Sequence, residues 1–90
     1  MPSYLVETFL SRGHAAERLA RWRRAPSAVD KLTREGTRVR FDHIVFVPED
    51  EICFFVVDAP SSQDAVRAAE RAQLEPFRVV EAVSPGKEEQ

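Results

Sequence analysis

One cysteine, Cys53, stands in 90 residues, so no disulfide can close within the chain. That usage suits a reducing, cytoplasmic compartment. Three scattered glycines are too few for a glycine-rich phosphate loop. No apolar run approaches the roughly 18 residues that a membrane-spanning helix needs. The N-terminus lacks the basic-then-apolar pattern of a secretory leader. Neither a Ser–His–Asp order nor a nucleophile elbow is visible, and there is no internal repeat or low-complexity tract. These absences point away from an enzyme and from a membrane partner.

What is present describes one small domain with a modest core. Hydrophobic residues make up 43% and charged residues 31%, ordinary for a globular protein. The net charge of −2 is unevenly spread. Residues 1–47 hold nine Lys/Arg against five Asp/Glu, and residues 48–90 hold four against ten. The bases of the first half sit mainly on one helical segment without interleaved exposed aromatics, so a nucleic-acid partner is not expected.

The dominant stretch is Ile52–Val57, six apolar residues in succession, rich in aromatic and β-branched types. A strand apolar on both faces is buried on both. Tyr4–Leu10 has the same character, which predicts a second central strand. Between them, Ala15, Leu19, Trp22, Val29 and Leu32 recur helically, with Arg18, Arg21, Arg23 and Arg24 around the stripe. Pro26 lacks an N–H and clashes with the preceding turn, which predicts two helical segments, 14–24 and 27–35, the second capped by Ser27. Gly36 supplies the stop. Residues 38–47 read as a strand in which Val39, Phe41, His43, Val45 and Val47 share one face, and Pro48–Glu51 as a hairpin turn. Ser61 and Asp64 cap a second helix with a small-residue face of Ala65, Ala69 and Ala72. Residues 77–83 form the last strand, and 84–90 read as a polar tail after a single domain, 1–83.

The order β-α-β-β-α-β predicts an α+β, ferredoxin-like fold: a four-stranded antiparallel sheet with two helices on one face. Its usual strand order places the first and third strands centrally, where the two doubly apolar strands belong. The uncovered face predicts a homodimer burying sheet against sheet.

Several residues are candidate ligands. His14 and Glu17, three apart at a helix start, have a spacing that can chelate a divalent ion, although an exposed helix start with Glu17 favoured by the dipole is the plainer reading. Glu7 and Glu81 face each other if the outer strand register sums to 88. Such a pair would need a metal, a shared proton or an arginine between them. His43 falls on an otherwise apolar strand face and reads either as a satisfied interface histidine or as a ligand. Cys53 is either a soft ligand or a small buried hydrophobe, with no CxxC or local histidine beside it.

Met1–Glu7, Glu35–Arg40, Phe46–Asp50, Cys53–Pro60, Ala65–Ala68 and Val79–Val83, taken in register, resemble a family of small bacterial ferredoxin-like proteins, a domain of unknown function with a nickel-binding member. The resemblance implies a dimer, a divalent metal such as nickel and a role in its sequestration; it implies no organic cofactor. It places no ligand residue, and the chain departs from the family in having no histidine at Val66–Ala69. The alternative kept open is a small dimeric α/β-barrel enzyme, a cofactor-free monooxygenase or isomerase, with a pocket between helices and sheet.

Overall fold

A computed structural model describes residues 1–83, with Ala15 described by its backbone alone; the expected polar tail 84–90 lies outside the described residues. The elements follow the expected order: β1 (Ser3–Phe9), α1 (Ala15–Arg34), β2 (Arg40–Val47), β3 (Ile52–Asp58), α2 (Ser62–Arg71) and β4 (Arg78–Ala82). The sheet runs β2-β3-β1-β4, antiparallel throughout, so the fold is ferredoxin-like α+β and the two doubly apolar strands are the central ones.

Residues directly opposite in an antiparallel ladder share a face. Val6 therefore points the same way as Phe55 on one side and Val79 on the other, and Thr8 the same way as Cys53. This face lies under the helices. Tyr4, Val6, Thr8, Cys53, Phe55 and Val57 are all buried there, against Ala25, Ala28, Val29 and Leu32 of α1 and Ala65, Ala68 and Ala69 of α2. The alanines let α2 lie close to the strands, and full burial of a side chain the size of Phe55 stabilises by roughly 1.5–3 kcal/mol. The Ser61 hydroxyl accepts the Asp64 N–H at 3.2 Å and donates to the Asp64 carboxylate at 3.1 Å, which starts α2 as the capping spacing predicts. Gly36, at φ +104°, ends α1: Thr37 N–H reaches back to the Leu32 carbonyl at 3.0 Å in a Schellman closure.

Three local expectations are corrected. α1 is one helix, not two, and Ser27 is an exposed residue within it rather than a cap. Pro26 does remove the N–H that would reach the Trp22 carbonyl, but Ala25, Ala28, Val29 and Leu32 are buried on both sides of it. A break would take one of those groups out of the core. The buried line of α1 also differs from the expected stripe: Leu19 and Trp22 are exposed at 47% and 42%. Val29 and Leu32 of that stripe are buried as expected, but before Pro26 the inward positions are Arg18, Arg21 and Ala25, one residue off Leu19 and Trp22.

The third correction lies in β2. A register shift falls between Phe41 and His43, so Asp42 is an extra residue in the ladder. Phe41 is opposite Val57 and faces the helices, as do Ile44 and Phe46, whereas His43, Val45 and Val47 face the open side. Strict alternation placed Phe41 and His43 together; one bulged residue separates them.

Because Pro26 sits exposed in a continuous helix, Pro26→Ala is expected to raise unfolding free energy by about 1–3 kcal/mol. Leu32→Ala, at a fully buried site, is expected to lower it by roughly 2–5 kcal/mol. Urea midpoints of the two variants and the parent check both signs.

Candidate functional site

The candidate donors are spread over five elements, β1, α1 with its N-cap, β2, β3 and β4. His14 is exposed at the N-cap of α1, where its backbone accepts Arg18 N–H and its side chain caps nothing. Glu17, one turn on, is committed: the same carboxylate oxygen accepts Arg21 Nε at 3.1 Å and Arg24 Nη2 at 3.2 Å. Those two bonds hold its pKa below the usual carboxylate value. A chelate with His14 would have to displace two guanidinium groups.

Glu7 and Glu81 do not meet. The β1–β4 register pairs Glu7 with Arg78 and Tyr4 with Glu81, a sum of 85 rather than 88. An odd offset reverses the face, so Glu7 lies on the open side of the sheet and Glu81 on the other. Glu7 is answered instead by Arg78 across the ladder, with Nε 3.4 Å from its carboxylate. Its side chain is only 12% exposed, so this partner matters more than a surface pair would.

His43 projects on the open face opposite Val56, more than half exposed, with Nδ1 3.3 Å from the Asp42 carboxylate. The bulge brings these two together, since regular alternation would send neighbours to opposite faces. An acid behind one ring nitrogen fixes the other as the outward-facing atom, the arrangement that metal-ligating histidines commonly use. Among the described residues, however, no three of His, Cys, Asp and Glu are placed to hold a metal ion, so one chain alone does not fit a nickel site. Cys53 is wholly buried, and burial pushes its thiol pKa up, against smaller opposing effects of Arg21 and Arg18. It behaves as a small core side chain.

The open face itself is the largest uncommitted feature. Leu5, Ile52, Phe54 and Val80 are half-buried there, with Val45 42% and Phe9 65% exposed. Phe9 stacks on Phe77, ring centroids 4.4 Å apart, at one end of this band. At the other end lies a polar group that sequence reasoning missed. The buried Asp58 carboxylate accepts Ser3 Oγ at 2.6 Å and Arg40 at 3.1 Å through Nε and 2.7 Å through Nη2. An acid ending an apolar run was the available signal, but nothing in the sequence sets Arg40 opposite it across the β2–β3 ladder.

The cavity between helices and sheet that is bounded by Val6, Val29, Phe55, Val57, Ala69 and Leu74 among others measures about 10 Å³. That is at most one water. Of the residues that a barrel-type enzyme could draw on, Tyr4 is buried on this side, whereas Glu7 and His43 lie on the opposite side of the sheet.

Acid should act through the paired carboxylates. Glu17 is depressed by Arg21 and Arg24, and Glu51 by the Arg12 backbone N–H. A depressed group contributes stability that is complete above its unfolded value, near 4.5, and lost as pH falls through the lower folded value. Glu17→Gln is therefore expected to flatten the fall in melting temperature below pH 4.5, measured by circular dichroism against the parent. Cys53 is expected to react with a chromogenic disulfide reagent only at the rate of unfolding; prompt stoichiometric labelling of the native protein would contradict its placement.

No family model matches the chain, and no curated protein matches it. Among solved structures, the crystal structure of SCO4226 from Streptomyces coelicolor A3(2) is similar, with a TM-score of 0.69 and 20% sequence identity over 91% of this chain and 98% of that one. At that identity the likeness establishes the fold, and it agrees with the ferredoxin-like topology described above.

Proposed function

We propose that the chain is a non-catalytic binding protein that works as a homodimer, open sheet face to open sheet face, and holds a divalent metal of the nickel class between its two copies. The observation that carries this reading is His43: an exposed imidazole on the apolar open face, backed at 3.3 Å by Asp42. Among the described residues of one chain it has too few companions for a metal. A two-fold assembly supplies each donor twice, and an isologous interface brings equivalent residues to the same axis. The flanking pairs, Glu7–Arg78 and Arg40–Asp58, neutralise their own charges, so covering the face leaves the apolar band to drive association. The filled interior under the helices supports a binding protein over an enzyme with a pocket there.

Calorimetric titration of the metal-free, tag-free protein with nickel, zinc and cobalt, alongside light scattering, tests both parts. The expected result is a dimer that binds nickel at one ion per two chains with micromolar affinity or better. His43→Ala should lose that binding and remain dimeric, while His14→Ala should keep it. A monomer, or binding no tighter than millimolar, would overturn the reading.

A further inference from the structure

Arg18 is the one arginine on α1 that points inward without an acid. Its guanidinium lies over two rings, 5.8 Å from the Trp22 centroid and 5.1 Å from that of Phe46. Its Nε is the only buried side-chain nitrogen or oxygen without a hydrogen-bond partner among the described residues. The nearest acid along the helix, Glu17, is already shared by Arg21 and Arg24. A partly buried cation without a counter-charge is costly, and here it is held by aromatic faces alone. Two apolar side chains beside it, Leu19 and Trp22, three apart on the helix, are exposed.

We infer that Arg18, Trp22, Leu19 and Phe46 form a binding site for an organic monocarboxylate with an apolar body. The terminal guanidinium nitrogens take the carboxylate, and the alkyl or aromatic body lies along Leu19 and the free side of Trp22. Two features select this chemistry. The unanswered positive charge calls for an anion, and the exposed Trp22 ring and Leu19 reward an apolar body more than a bare inorganic ion. The site lies on the helix side of the sheet, on the face away from the proposed dimer interface, so it stands independently of metal binding.

Trp22 is the only tryptophan, so its fluorescence reports directly on this patch. The probe is octanoate, compared with octanol, acetate and inorganic phosphate. A saturable change with octanoate alone is expected, together with a rise in melting temperature. Arg18→Met keeps the stem and removes the charge, and its octanoate dissociation constant should rise by about tenfold or more, the factor that loss of a charge-assisted contact implies. Arg23→Gln, on the exposed side of the same helix, should bind octanoate as the parent does. An equal response to octanol, saturation by phosphate or acetate as tight as by octanoate, or unchanged affinity in Arg18→Met would overturn the inference. Should Arg18→Met fail to fold, the four-probe comparison on the parent protein decides by itself.

Discussion

The antiparallel ladder between β1 and β3 is the constraint on which the rest depends. Both strands are apolar on both faces, so neither can sit at an edge, and each pairs with a less apolar outer strand. Once Val6 is opposite Phe55 and Thr8 opposite Cys53, one face is committed to the helices and the other to whatever lies beyond the sheet. Ninety residues supply helices for one side only. The open face, with its half-buried leucine, phenylalanine and isoleucine, follows from arithmetic as much as from any particular choice of residue.

Charge is distributed around this core in short, closed circuits. Arg24 donates to the Ala72 and Gln73 carbonyls at the end of α2 while also holding Glu17, so one side chain ties the two helices together. Arg71 and Glu35 form a two-pronged bridge at 2.7 and 2.8 Å that joins the end of α2 to the end of α1. These contacts tie the two helices into one layer over the sheet. Against that background Arg18 stands out because its surroundings offer it rings and no acid.

Topology was legible in the sequence because it is written in long runs. Doubly apolar strands, a small-residue helix face and the Ser61 cap each involve several residues that agree with one another. What escaped was decided by single residues. Asp42 as a bulge reverses face assignments on one side of β2, and no periodicity reports an insertion of one. The β1–β4 register differs from the guessed one by three, enough to send Glu81 to the other face from Glu7. Pro26 carries a strong local signal for a break, and tertiary burial of Ala25, Ala28 and Leu32 overrides it. Trp22 read as core because it is large and apolar, whereas the inward line passes through Arg18 and Arg21, whose charges hid it. Among the candidate donors, their types and their elements were readable; their distances from one another depended on those same single-residue choices.

The bulge at Asp42 also bears on how the molecule behaves in a crowd. β2 is an edge, and a regular edge presents a continuous row of backbone donors and acceptors on which further strands can grow. Here the row is interrupted between Phe41 and His43, and Arg40 stands at its start. An incoming strand that matched one half would be out of step with the other. Growth of the sheet sideways, which has no natural end, is thereby discouraged, and the proposed pairing through the open face, which closes on itself, is left without that competitor.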